Sequence, residues 1–147
     1  MKRTIFAVDT NCLVASISPW DKRHAHALST LERRLARGEQ MSISVQALTE
    51  TYSVLTRIPE PYRISPAAAW DALEIYLATR SEVFALEPNI HVEFMRDLAK
   101  QGLGGGRVYD AIIGECARQA GATVLLTFNS RHFDPPPAGV KIVEPSD

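Results

Sequence analysis

The sequence predicts an α/β fold: a single-domain, three-layer sandwich around a mainly parallel sheet of four to five strands. Three observations carry this. Short apolar, β-branched runs alternate with helical stretches along the chain, the pattern of βαβ units. The first run, Thr4-Ile5-Phe6-Ala7-Val8, reads as a buried strand and ends on a carboxylate, Asp9. The chain has 147 residues, enough for one real core, with no repeat, low-complexity tract or linker to divide it.

Residues 4–8 form the first strand, and Thr10 or Asn11 can cap the segment after it. A helix is expected from about Trp20 to Arg37, with Ala27, Leu28, Leu31 and Leu35 on one face and Gly38 as its stop. Met41 to Val45 makes a second strand, and a helix from about Gln46 to Arg57 comes next until Pro59 and Pro61 break it. Ser65-Pro66 is an N-cap and first-turn pair that opens a helix through Trp70, Leu73 and Leu77. Glu82 to Leu86 is a third strand, and Pro88 opens a helix carrying Phe94, Met95 and Leu98. Gly102 to Gly106 is a loop, Arg107 to Ala120 a helix capped by Gly121, and Thr123 to Phe128 the fourth strand. After the stiff Pro135-Pro136-Pro137 connector, Val140 to Val143 adds a fifth, edge strand.

Apolar residues make up 46% of the chain and charged residues 22%, the balance of a soluble globular protein and not of a disordered one. The apolar run behind Lys2-Arg3 is too short for a secretory segment, and no stretch reaches the ~20 apolar residues that span a bilayer. A cytoplasmic location is the resulting expectation. Cys12 and Cys116 stand far apart, outside any Cys-x-x-Cys pair, and read as small core residues. His24 and His91, on or near apolar helix faces, read as satisfied structural histidines. Gly102–Gly106 comes after a helix and lacks a Lys-Ser/Thr step, so neither phosphate-loop fingerprint applies.

Three acids occupy comparable places. Asp9 ends the first strand, at the edge where open α/β sheets bind ligands. Glu50 lies off the main apolar face of its helix, yet has Ala47 and Val54 at i−3 and i+4, which suggests a partly covered crevice. Asp110, in the first turn of its helix, falls at the border of a face carrying Val108, Ile112, Ile113 and Cys116 and can point toward Asp9; Gly114, one turn on, leaves room for a close approach. Asn129 is again at a strand tip. Each has a plainer role as cap, solvated acid or turn residue. Together, however, carboxylates in one crevice repel unless a cation lies between them, and hard oxygen ligands suit Mg²⁺ or Mn²⁺. Setting these three acids aside leaves fewer acids than the 16 Lys and Arg, a mildly basic remainder compatible with a nucleic-acid substrate.

Val8-Asp9-Thr10-Asn11, Ala47-Leu48-Thr49-Glu50, Tyr109-Asp110-Ala111-Ile112-Ile113 and Leu126-Thr127-Phe128-Asn129-Ser130-Arg131-His132-Phe133, in this order, resemble a PIN-domain protein. The spacing is most similar to VapC toxins of type II toxin–antitoxin modules, over essentially the whole chain. The resemblance implies a Mg²⁺-dependent endoribonuclease, dimeric, neutralised by a small cognate antitoxin. Asp9, Glu50 and Asp110 then match the three metal-binding acids, and Asn129 falls where many members carry a fourth. Asn129 is expected to hydrogen-bond a metal water, and Arg107 and Arg131 to hold phosphates. The stripes Trp70-Leu73-Leu77 and Tyr52-Leu55 read first as core, with one of them available as a dimer or antitoxin groove. Rival readings fare worse. A haloacid-dehalogenase-type phosphatase needs a second acid two residues after the first, where Asn11 stands, and a receiver domain needs an acid pair at the first strand tip. A non-catalytic RNA- or protein-binding PIN-like module is the alternative.

Overall fold

A strand with helices on both sides must bury every residue it has, because successive side chains point to opposite faces. The first strand nearly meets that demand, with Ile5 only partly buried. Phe6, Ala7 and Val8 are all buried. The computed structural model describes residues 3–79 and 81–146. Lys2 of the basic N-terminal pair lies outside the described residues. The strands are β1 (Ile5–Val8), β2 (Gln40–Ser44), β3 (Ser81–Phe84), β4 (Val124–Leu126) and β5 (Lys141–Val143). The helices are α1 (Thr10–Ile17), α2 (His24–Ala36), α3 (Val45–Arg57), α4 (Pro66–Leu77), α5 (Pro88–Lys100) and α6 (Arg107–Gln119), with a 3₁₀ turn at Ser130–Phe133.

The five strands form one sheet in the order β3-β2-β1-β4-β5, and every neighbouring pair is parallel. The α/β class, the parallel sheet and the edge position of the fifth strand are thus as the sequence predicts. The main core joins Phe6, Val8, Leu13, Leu31, Met41, Ile43, Leu125 and Leu126. Each such side chain contributes about 1.5–3 kcal/mol by leaving water.

Several boundaries differ, each for a local reason. A cap was expected after the first strand, but not the extent of the helix it opens, Thr10–Ile17, which is α1. Cys12 through Ser16 are all buried there, so the helix lacks the polar face that makes a helical period visible. The expected helix from Trp20 begins only at His24, because Asp21 Oδ1 accepts the Arg23 backbone N–H at 2.8 Å and folds Trp20–Arg23 into a turn. Val45 belongs to α3 and not to the second strand: Ser44 Oγ accepts from Ala47 N–H at 3.0 Å, and this cap starts the helix one residue early. The third strand runs Ser81–Phe84, with Leu86 leaving the sheet to pack on Ile112 and Cys116.

The smaller expectations hold. Both cysteines are free and buried. Burial raises the thiol of Cys12, and pushes that of Cys116 up to about 11. His24 Nδ1 bonds the Ala15 carbonyl at 2.8 Å. Among the described residues no helix is long and apolar enough to cross a membrane.

Candidate active site

The chain enters the sheet at β1 and fills β2 and β3 on one side, then returns to fill β4 and β5 on the other. The strand order therefore reverses between β1 and β4, where the connections diverge and leave a crevice at the carboxyl ends of the strands. Asp9 is the first residue past β1, at that crevice. Its N–H donates to the Leu126 carbonyl of β4 at 2.9 Å, which extends the β1–β4 ladder by one step and fixes the backbone from which the side chain projects.

The Asp9 carboxyl is 3% exposed and fully engaged. Oδ1 accepts the Thr10 N–H at 2.8 Å. Oδ2 accepts the Thr127 hydroxyl at 2.8 Å and the Asn11 amide at 3.3 Å. Asp9 is thus itself the N-cap of α1, the plainer role weighed for it, and neither Thr10 nor Asn11 takes that role. Asn11 instead ties the two strand ends together: its Oδ1 accepts the Phe128 N–H at 3.1 Å and its Nδ2 also donates to Thr127 Oγ1 at 3.3 Å. The Thr10 hydroxyl beside them is buried without a hydrogen-bond partner.

Burial pushes the Asp9 carboxyl up to about 6. The hydrogen bonds from Thr127 and Thr10 act against this, while the negative charges of Asp110 and Glu50 push the same way. The charges of Asp110 on α6 and Glu50 on α3 are thus felt at Asp9, just past the end of β1. Asp110 and Glu50 also keep partners of their own. Asp110 Oδ2 lies 3.1 Å from His132 Nδ1, and Glu50 Oε1 accepts the Gln46 amide at 3.0 Å. Among the described residues no three His, Cys, Asp or Glu side chains close into a ready ligand cluster.

Asn129 is exposed, and its backbone N–H, donating to Thr127 Oγ1 at 2.9 Å, makes its bond into the site. The polar side chain from the β4 end that touches Asp9 is Thr127. Arg107 lies beside Asp110 and donates to the His132 carbonyl at 3.1 Å. Arg131 lines a separate depression with Lys141 and Ile142. Gly114 does not serve the approach of Asp110 to Asp9. A Cβ there would lie 3.0 Å from Pro137 Cγ, so the glycine admits the proline connector.

Sequence reasoning missed Thr127, Asn11 as a strand clamp, Gln46 and His132 as the partner of Asp110. It also missed Arg23, whose guanidinium lies 4.7 Å from the centre of the Phe128 ring and brings a cation beside the strand end. Thr127 had a signal, being a hydroxyl at the same strand tip as Asn129. Arg23 had none, since only tertiary packing brings its turn to Phe128. The apolar stripes divide: Leu55 and Leu73 are buried, whereas Leu48, Thr49, Tyr52 and Trp70 line a surface depression between α3 and α4.

The chain has clear relatives. Residues 6–136 match the family model described as PIN domain. Ribonuclease VapC40 of Mycobacterium tuberculosis is 37% identical over 123 residues, 82% of this chain and 84% of that protein. VapC20 of Mycobacterium tuberculosis, a sarcin–ricin loop cleaving toxin, superposes with a TM-score of 0.69 at 23% identity, covering 93% of this chain and 98% of that one. VapBC2 from Rickettsia felis, bound to a DNA fragment from its promoter, gives a TM-score of 0.68 at 22% identity, covering 97% of this chain and 100% of that one. The two solved structures share the fold.

Proposed function

The chain belongs to the PIN-domain family, and we propose on that basis that it is a divalent-metal-dependent endoribonuclease, the toxin of a type II toxin–antitoxin pair. In this reading residues 1–147 form one PIN-like nuclease domain that works in the cytoplasm as a homodimer and is neutralised by a small cognate protein. The observation that carries it is the Asp9 carboxylate at the strand-order reversal, pushed upward chiefly by burial and further by the charges of Asp110 and Glu50. Such a convergence of negative charge is costly in any protein that does not bind a cation there.

The donor set fits a hard cation. It consists of carboxylate oxygens, with a buried, unpartnered Thr10 hydroxyl alongside. Asp9 and Asp110 would hold Mg²⁺ or Mn²⁺, with Glu50 completing the acidic rim. When bound, the ion supplies Lewis-acid polarisation of the phosphodiester and acidifies water at the site. The chain does the rest. Thr127 and Asn11 hold Asp9 in one rotamer by bonding Oδ2. Glu50, kept in place by Gln46, orients the attacking water. Asn129 would hydrogen-bond a water held by the ion. Arg107, at the Asp110 side, holds a phosphate, while Arg131 acts further along the strand path.

The test is mapping of RNA 5′ ends after brief expression, with purified protein assayed beside it in Mg²⁺, Mn²⁺ and chelator. Cleavage that stops on chelation while RNA binding persists is the expected result. Binding without cleavage in every metal condition would make the chain a non-catalytic RNA-binding module. Expression alone should slow bacterial growth, and a co-expressed cognate antitoxin should restore it.

A further inference from the structure

A crevice of about 280 Å³ opens beside Asp110, between α5, the first turns of α6 and the segment 132–137. The three acids do not account for it. Phe94 and Phe133 supply aromatic walls, and Leu98 and Leu103 extend the apolar lining. Its floor is set by the contact of Gly114 with Pro137 and Phe133, which brings the connector down against α6. Its mouth is held by two bonds: Arg107 to the His132 carbonyl at 3.1 Å, and His132 Nδ1 to Asp110 Oδ2 at 3.1 Å. The opening therefore has Asp110 in its wall.

We infer that this crevice is a nucleobase subsite, taking one base of the RNA beside the scissile phosphate and favouring bases with an exocyclic amine over uracil. This rests on the ribonuclease reading above. The size suits one base and not an oligonucleotide, since it lies just below the roughly 300 Å³ at the small end of ligand pockets. Single-stranded RNA is read by splaying bases onto aromatic side chains and bonding their edges. The wall and rim supply both parts. Stacking surface comes from Phe94 and Phe133, and edge contacts from Gln101, Glu115 and Asp134. Gln101 offers a donor and an acceptor, whereas the two carboxylates only accept. An exocyclic amine satisfies those acceptors. Uracil offers them only its ring N3–H, flanked by two carbonyl oxygens that would be set against like charge. Part of Glu115 is already committed to Arg118, at 2.8 and 2.7 Å, which leaves Gln101 and Asp134 as the principal readers.

The test uses matched single-stranded oligonucleotides carrying A, C, G, U or an abasic residue at each position flanking a mapped cleavage. At one position, wild type in Mn²⁺ should cleave the amino-base substrates about tenfold faster in kcat/KM than the uracil or abasic ones. Gln101→Ala should shrink that ratio. Leu103→Trp, which fills the crevice, should bring amino-base substrates down to the abasic level. Both variants should keep the Mn²⁺-induced rise in Tm, which shows that the fold and the acids are intact. Unchanged base ratios in both variants, or equal wild-type cleavage of all bases and the abasic substrate, overturn the subsite. Fluorescence anisotropy with the same oligonucleotides separates the two readings. Base-dependent affinity without cleavage overturns the nuclease and keeps the subsite; cleavage without base dependence does the reverse.

Discussion

Asp9, at a strand tip, and Asp110, in the first turn of α6, are carboxylates held in opposite ways. Asp9 follows a central strand, is 3% exposed, and has both oxygens bonded by groups from its own turn and from the end of β4. Asp110 stands in the first turn of a helix, with its side chain 22% exposed and one partner, His132. The difference separates two jobs. A strand-tip acid is positioned by the sheet ladder and carries its charge at the expense of stability. A helix-start acid sits where the helix dipole favours its charge, and its single contact lets it shift toward a ligand.

The sharpest way to break this comparison is Asp110→Asn. Cleavage should fall by at least about 10²-fold, while circular dichroism and Tm stay near wild type. Retained activity in that protein sinks the site.

Asp9→Asn should also abolish cleavage but should stabilise the metal-free protein. The native carboxyl titrates at about 6 against 3.8 for an ordinary Asp. Below pH 4 both native and unfolded states hold the proton, and the native environment costs nothing extra. Between these values the unfolded chain ionises first, so stability falls as pH rises, and above about 6 the full cost is present. The shift corresponds to about 3 kcal/mol at pH 8. Urea midpoints from pH 4 to 8 should therefore show the variant gaining on wild type as pH rises. Equal pH dependence in the two proteins would mean that Asp9 carries no such cost.

Mn²⁺ should reverse the penalty in wild type. At a hundredfold excess over Kd it should add about 2.7 kcal/mol, read as a Tm rise that chelation removes and that Asp9→Asn lacks. An identical Tm rise in Asp9→Asn would move the cation elsewhere.

The smallest effect concerns the clamp. Thr127→Val removes the hydroxyl that bonds Asp9 and accepts from Asn129 and Asn11. It should cost about 1–3 kcal/mol and raise the Asp9 titration further, because the Thr127 bond acts to lower it. NMR titration of the Asp9 carboxyl would show the direction.

Legibility in the sequence tracked the range of the interactions. The alternation of β-branched runs with helical stretches reads directly as parallel α/β. Asp9, Glu50 and Asp110 were visible as polar residues at comparable points after strands. α1 was not, because a helix buried almost all round has no amphipathic period to read. Val45 was misplaced because one Ser44 hydrogen bond outweighed its strand preference. Gly114 was noticed, but its neighbour lies far along the chain, and the reason for it is the Pro137 contact.

Fold class and family can be read from residue order alone, since they depend on local pattern and on residue types in succession, and the same order singles out Asp9, Glu50 and Asp110 as candidates. The surroundings of those acids come from long-range packing: the reversal of strand order that puts Asp9 beside Thr127, the pairing of Asp110 with His132, and the crevice between α5 and α6. Contacts such as that of Asp9 with Thr127, between residues far apart in the chain, have no periodicity and no spacing rule. They exist because pairing β4 beside β1 and burying both faces of the sheet brings these side chains together.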